Sequence, residues 1–447
     1  NPETVRLSAE QIFLAGVKQV LPDALIRAQL EREADRLVIA GRDVPLPRSL
    51  YLLAAGKAAA LMAKAAEEVL GALITDGHVV TKYGHGLPLE RIALTEAGHP
   101  LPDAAGVEAT RRMLALARQA GADDLVLCLL SGGASSLMAD LPDDATLDEL
   151  AAANELLVKS GADIWAINCV RKHLSAVKGG QLAAAAAPAN VVSLILSDVV
   201  GDDIGVIASG PTAPDESIFA DALAVIGRFR LSDRLPASLW NHLQRGASGL
   251  IPETPKPGDP LFDKVQNRII GSNRLALEGA AQKANALGFE PRIITDTLRG
   301  DCGAVAEFIL RTLDDHLASE SRRPLCLLFG GEPTLKVEGD GLGGRNQHLA
   351  LLLATRLQGR QGVTLLCAGT DGTDGPTDAA GAVVDGRTLF DALEKGIDAQ
   401  AYLDRYDSYH FFQQAGGHIL TGSTHTNVMD MVVAVLPRTA RQHGGSI

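Results

Sequence analysis

SLYLLAAGKAAALMAKAAEEVLGAL (49–73) is the stretch whose reading decides the fold. Its first half is a short continuous apolar run, its second half is alanine-rich with helical spacing, and only Gly56-Lys57 stands between them. An apolar run of that length closed by glycine reads as a buried strand, and a strand passing straight into a helix opens a βαβ unit. The pattern repeats outward. HVVTKYG (78–84) reads as a strand, Ala105 to Ala120 as a helix, DLVLCLL (124–130) as a strand, the segment after Thr146 as a helix, and VVSLILSDVV (191–200) as a fully apolar strand. Toward the N-terminus the spacing from Ala9 to Leu30 is helical, followed by a short strand LVIA ahead of Gly41. Alternation of this kind predicts an α/β fold with a mainly parallel sheet covered on both faces, Rossmann-like in character.

The alternation weakens at GLIPETPKPGDPL (249–261), where four prolines exclude helix and central strand, so this segment is the expected linker. It resumes with NRIIGSN (267–273), PRIIT (291–295), a helix from Ala304, LCLLF (325–329), GVTLLCAG (362–369), GAVVDG (381–386), HIL (418–420) and VVAVL (432–436). The expectation is two α/β domains, 1–250 and 251–447, with no internal repeat. A chain of 447 residues has room for that.

Composition narrows the function classes. Lys plus Arg number 41 against 54 Asp plus Glu, a net charge of −13, which argues against a phosphate-backbone partner held by clustered cations. The five cysteines are odd in number, far apart and without CxxC spacing, so they read as buried thiols of a reducing compartment rather than as disulfides or a zinc site. No apolar stretch has transmembrane length and the first residues do not read as a signal peptide, so the expectation is a cytoplasmic protein with neither nucleic-acid nor membrane partner, and with oligomerisation left open.

Ligands of open α/β sheets bind beyond the carboxyl ends of the strands. Each buried run here ends in a loop rich in small polar residues: Gly56-Lys57, SGGASS (131–136), Ser197-Asp198 with Asp202 and Asp203, Gly271-Ser272-Asn273, Gly330-Gly331-Glu332, and TDGTDG (370–375). Gly56-Lys57 is not a Walker A loop, because Tyr51 and Ala58 stand where glycine and a hydroxyl residue are required. Lys57 nevertheless puts an ammonium at a helix start, where anions are already attracted. Ser131, Gly132, Gly133, Ser135 and Ser136 can form a nest of backbone N–H groups supplemented by hydroxyls. A formal GxGxxG at Gly339, Gly341 and Gly344 runs straight into Arg345-Asn346-Gln347, and a guanidinium there suits a carboxylate or phosphate better than a dinucleotide. Glu332, between Gly331 and Pro333, is placed for function rather than for capping. Asp198 and Asp371 are candidate Mg²⁺ ligands, since that ion takes one or two carboxylates plus phosphate oxygens. Gly271, Ser272, Asn273, Asp371 and Asp374 are candidate nucleotide contacts. His78, His85, His99, His173, His348, His418 and His425 lack ligand spacing and read mainly as structural or surface groups. Neither a GxSxG elbow nor an HExxH motif is present.

AAGKAA, LLSGGASSL, INCVRKHLSAVKGGQLA, LILSDVVGDDIGVIASGPT, GSNRLALEGA, GGEPTLKVEGDGLGGRNQHLAL, AGTDGTDGPTDAAGA and TGSTHTNVMD, in this order, resemble the glycerate 2-kinase family. That family includes proteins long labelled hydroxypyruvate reductase from tartrate-utilisation operons. The resemblance implies two α/β domains facing a deep interdomain cleft, the second containing the MOFRL region at about 325–436. It implies ATP and Mg²⁺, transfer of phosphoryl to the 2-hydroxyl of glycerate, and two essential basic residues, which by motif are Lys57 and Arg345. On that reading Lys57 and Arg345 hold the carboxylate and the migrating phosphoryl, the Ser131–Ser136 loop, Glu332 and Asn346 contact substrate or phosphate, and Asp198 or Asp371 orients the hydroxyl or Mg²⁺. The competing class is an NAD(P)H-dependent hydroxypyruvate reductase, for which His418 and His425 are the candidate proton donors. A non-enzymatic small-acid binding module is the third.

Overall fold

The computed structural model describes residues 2–318 and 323–436. The chain divides into two compact units, Pro22–Ile270 on one side and Asn1–Leu21 with Gly271–Ile447 on the other. The boundary expected at 250/251 therefore moves, and the first 21 residues leave the unit that follows them. Their helix, Pro2–Gln19, buries Ile12 and Phe13 completely. Gly16 lets it approach closely: a Cβ there would lie 2.8 Å from the Ala276 carbonyl oxygen and 2.8 Å from Met431 Cε.

In the Pro22–Ile270 unit, the apolar runs become strands β1 (Leu50–Ala55), β2 (Ile74–Lys82), β3 (Ala93–Ala97), β4 (Leu125–Leu130), β5 (Asn190–Leu196) and β6 (Val265–Gly271, which reaches the boundary). They lie in the order β3-β2-β1-β4-β5-β6. The pairs β1–β2, β2–β3, β1–β4 and β4–β5 are parallel, as the alternation with helices requires. This is the doubly wound Rossmann order, whose direction of winding reverses between β1 and β4. Every residue of β1 and β4 is buried, which is why they read as unbroken apolar runs. Helices close the layers: Ala59–Leu70 follows β1, Ala104–Gln119 is capped by Asp103, and Leu147–Lys159 opens with a Thr146–Glu149 capping box. A small antiparallel sheet, Leu30–Arg32, Leu37–Ile39 and Arg42–Val44, precedes β1.

The proline-rich segment does not link the units. Asp215 N–H donates to the Pro255 carbonyl (2.9 Å), Thr254 Oγ1 to Asp215 Oδ2 (2.8 Å) and Lys256 Nζ to the Ser217 carbonyl (2.5 Å), so it is an extended strap fastened to its own unit. Extended backbone is what proline favours, and polar partners for it come from the loop it crosses.

The other unit holds β7 (Glu290–Leu298), β8 (Leu325–Gly331), β9 (Thr364–Gly369), β10 (Gly381–Asp385), β11 (His418–Ile419) and β12 (Asp430–Leu436), in the order β7-β8-β12-β9-β10-β11. Only β7–β8 is parallel; β12 runs antiparallel between β8 and β9. The first residue of β12, Asp430, thereby comes level with Gly331 at the end of β8 and Gly369 at the end of β9. All five cysteines are buried and unbridged, and burial pushes the thiols of Cys128, Cys302 and Cys326 up to about 12. Among the described residues no helix is long and apolar enough to cross a membrane.

Candidate functional site

The β1–β4 reversal of the Rossmann sheet carries Gly56-Lys57 on one side and Ser131–Ser136 on the other, and the two loops are laced together. Ser131 N–H donates to the Ala55 carbonyl (3.0 Å), Lys57 N–H to the Gly132 carbonyl (2.9 Å), and Ala58 N–H to Ser131 Oγ (3.1 Å). Gly56, at φ +129°, permits this contact, because a Cβ there would lie 2.1 Å from Ser131 Oγ. The helix proper starts at Ala59, so Lys57 occupies the turn before it, half-buried. Ser135 Oγ meets Ser209 Oγ at 2.7 Å and Ser136 Oγ donates to the Gly133 carbonyl at 3.2 Å, so the hydroxyls brace the loop. None of these bonds uses the N–H of Gly132 or Gly133.

Asp198, just beyond β5, reaches over this loop: a Cβ on Gly132 would lie 2.2 Å from its Oδ2. The structure thus gathers Lys57, the 131–136 loop and Asp198 at one sheet edge. It also brings in His99, which sequence reasoning had left among the structural histidines. A Cβ on Gly133 would lie 2.9 Å from both His99 Cδ2 and Nε2, and 3.4 Å from Lys57 Cγ. Burial, and then the charges of Lys57, Lys82 and His85, push His99 down to about 4. No spacing rule could have found it, because its neighbours Lys57 and Gly133 come from other strand ends.

In the other unit Arg345 opens the helix Arg345–Leu357. Its Nε donates to Asp430 Oδ2 (2.6 Å) and its Nη2 to Asp430 Oδ1 (3.1 Å), a two-pronged guanidinium–carboxylate contact, and Glu332 Oε1 lies 3.3 Å from Nη2. The Arg345 side chain keeps 35% exposure while that of Asp430 keeps 4%. Burial pushes the Asp430 carboxyl up to about 6, against the Arg345 hydrogen bond and charge, which pull it down. Burial likewise opposes the Arg345 charge, but the Asp430 hydrogen bond and the charges of Asp430 and Glu332 more than offset it and raise its pKa. Asp430 is the partner that sequence reasoning missed; the only local signal is an acid at the start of an apolar strand.

The residues of this unit expected to contact nucleotide make hydrogen bonds of their own. Asp374 is buried and accepts from Asn346 N–H (2.9 Å), Asn346 Nδ2 (3.2 Å), Gln347 N–H (2.8 Å) and Gln347 Nε2 (3.0 Å). It caps the start of the Arg345 helix from a distant loop, and Gly344 makes room for it, since a Cβ there would lie 2.4 Å from Asp374 Oδ1. Ser272 Oγ accepts from Leu275 N–H (3.3 Å), and Asn273 Nδ2 donates to the carbonyls of Val428 and Asp430 (2.9 Å each), so Gly271-Ser272-Asn273 caps a helix and pins the start of β12. Asp371 Oδ1 accepts from Thr373 N–H (3.1 Å) within its own turn. The amide oxygens of Asn273 and Asn346 are buried with no hydrogen-bond partner.

The GxGxxG reading also fails on geometry. A thirteen-residue loop separates Gly331 from the helix, whereas a dinucleotide fingerprint passes directly from strand to helix. Gly339 and Gly341 instead admit the 405–407 segment: a Cβ on Gly339 would lie 2.4 Å from the Arg405 carbonyl oxygen, and one on Gly341 would lie 2.4 Å from Asp407 Cβ. His418 Nε2 lies 3.1 Å from Gln347 Oε1 and His425 is exposed.

Residues 8–244 match the family described as Domain of unknown function (DUF4147), and residues 325–430 match the MOFRL family. Over 98% of its length the chain is 41% identical to a D-glycerate 2-kinase of Thermotoga maritima, covering 99% of that protein. A relative in Agrobacterium vitis with a provisional hydroxypyruvate reductase name is 39% identical, with 96% of this chain and 94% of that one covered. Among solved structures, a glycerate kinase from Thermotoga maritima superposes with a TM-score of 0.86 at 40% identity, covering 98% of this chain and 100% of the other.

Proposed function

This chain belongs to the glycerate 2-kinase family, and from that premise we propose that it transfers the terminal phosphoryl group of ATP to the 2-hydroxyl of glycerate, giving 2-phosphoglycerate and ADP. The observation that carries the reading beyond family membership is Lys57. Lys57 stands at the reversal point of a Rossmann sheet, its backbone laced to a glycine–serine loop, in a chain whose net charge is −13. A cation retained there against the overall charge suits a multiply charged phosphate.

Phosphoryl transfer asks the protein for positioning and charge neutralisation rather than covalent chemistry. Lys57 and the N–H groups of the 131–136 loop take phosphoryl oxygens. Within its own unit, Arg345, its fork held by Asp430 and Glu332, is suited to a carboxylate such as that of glycerate. Asp198 accepts the proton of the 2-hydroxyl as its oxygen bonds to the γ-phosphorus and the bond to the ADP oxygen breaks. Mg²⁺ belongs to this reading. Among the described residues no group of three or more His, Cys, Asp or Glu could form a metal cage. A donor set of one carboxylate, Asp198, with Asp371 the alternative, fits an ion that draws its remaining oxygens from phosphates and water. When bound it supplies neutralisation of phosphate charge. A cytoplasmic location is part of the same reading, supported by the five buried thiols.

The test is to incubate the protein with glycerate and MgATP, follow ADP release, and identify the phosphorylated carbon by ³¹P NMR. Glycerate-dependent ADP release with phosphate on carbon 2 is expected. Oxidation of NADH by hydroxypyruvate with no ADP release from glycerate would replace the kinase with the reductase.

A further inference from the structure

Four basic residues lie at the carboxyl ends of three neighbouring parallel strands. Lys57 follows β1, Lys82 ends β2 with His85 three residues beyond, and His99 follows β3. His85 Nδ1 lies 3.2 Å from the Lys57 carbonyl, and the charges of Lys57, Lys82 and His85 all act on His99. The acids nearest in sequence are committed elsewhere. Glu96 Oε1 accepts from Gly84 N–H (3.2 Å) and Gly86 N–H (3.1 Å), and Asp103 accepts from Tyr83 OH (2.6 Å) and Gly106 N–H (3.1 Å). Asp198 is the carboxylate that faces the same loop, at Gly132.

His99 has the most specific placement of the four. Its Cδ2–Nε2 edge lies against Gly133, and the Lys57 stem flanks the same glycine. Gly133 stands at φ +86° and leads into the short helix Ala134–Leu137, so both its missing side chain and its backbone conformation serve this approach.

We propose that His99 is a phosphoryl-binding residue of the Lys57 site, its imidazole Nε2–H donating a hydrogen bond to an oxygen of the transferred group beside the Gly133 loop. The proposal rests on the kinase reading for the identity of the phosphoryl donor. With its pKa at about 4, the ring is neutral at physiological pH, so it supplies a directed donor next to the Lys57 cation without a second buried charge. Lys82 contributes potential rather than contact, drawing the anion toward the loop.

Two substitutions separate donation from packing. His99→Phe keeps a ring against Gly133 and removes the donor, while His99→Gln keeps an N–H near the position of Nε2 and removes the ring. His99→Phe should lower kcat by about 10²-fold, the typical loss for one preorganised donor, with the KM for glycerate unchanged, and His99→Gln should recover most of it. A packing role predicts the reverse order, and either that order or equal losses in both variants would overturn the proposal. The contact is read without turnover by titrating ¹³C-histidine-labelled protein with inorganic tripolyphosphate. The His99 resonance should move in the wild type, and a resonance that stays still overturns the proposal. If glycerate-dependent ADP release is absent while the His99 resonance moves, the kinase reading fails and the anion contact stands.

Discussion

Replacing Lys57 by alanine removes a charge while leaving every backbone hydrogen bond of that residue in place. Its N–H still donates to the Gly132 carbonyl (2.9 Å), and its carbonyl still faces His85 Nδ1 (3.2 Å). The helix behind it begins at Ala59 with no side-chain cap for the lysine to support. Stability should therefore change by no more than about 0.5 kcal/mol. Catalysis should change far more. An ammonium aimed at developing phosphoryl charge resembles other preorganised donors, whose removal costs about 10²- to 10³-fold in kcat, or about 2.7–4 kcal/mol of transition-state stabilisation. A second readout is independent of turnover. His99 is held at about 4 first by burial and then by the Lys57 charge, so in Lys57→Ala its pKa should rise but stay below the ordinary histidine value, because burial remains. The assays are a coupled ADP-release measurement, a thermal melt, and a histidine NMR titration. A kcat/KM within about threefold of wild type, with an unchanged melt, would refute the catalytic assignment. An unmoved His99 titration would refute the electrostatic one.

Asp430 sets an acid limb. Its folded-state carboxyl is raised to about 6, so its charge, and with it the Arg345 clamp, is lost as pH falls through that value. The kcat profile should fall on the acid side near pH 6, and Asp430→Asn should abolish that limb while lowering kcat at every pH. By linkage the same raised carboxyl favours the folded state below the unfolded-state pKa of about 3.9, a contribution lost as pH rises through about 6, which urea titrations of wild type and Asp430→Asn at pH 5 and 7 would resolve. Gly132→Ala places a methyl 2.2 Å from Asp198 Oδ2 and should displace that carboxylate, lowering kcat about 10²-fold in the ADP-release assay. Asp374→Ala leaves two buried N–H groups and two amides without their acceptor and should destabilise the protein by about 1–3 kcal/mol, while a raised KM for ATP in fully folded protein would restore its nucleotide role.

The strands were legible because buried parallel strands show up as unbroken apolar runs. The runs SLYLLAAG (49–56), DLVLCLL (124–130) and LCLLF (325–329) end within two residues of β1, β4 and β8 as observed. The residue types of the candidate site were legible for a related reason: a strand running directly into a loop or helix start exposes its end groups, which made Lys57 and Arg345 conspicuous. Less visible was what each such group would face. Asp374 and Asp371 lie in one glycine-rich loop and read alike, yet Asp374 caps a helix 28 residues away while Asp371 serves its own turn.

Period and local composition are properties of neighbouring residues, and they were enough to define an α/β chain with a parallel first sheet, the strand-end loops, and the two basic residues of the family motif. Everything that depends on pairing distant segments waited for the tertiary structure. The antiparallel insertion of β12 between β8 and β9 brings Asp430 to Arg345 across 85 residues. The 3-2-1-4-5-6 strand order brings His99 to the Gly133 loop. The close contact at Gly16 assigns the first helix to the unit that closes the chain. Such contacts are selected by sheet register and by space left at particular glycines, quantities that exist only once the chain has folded.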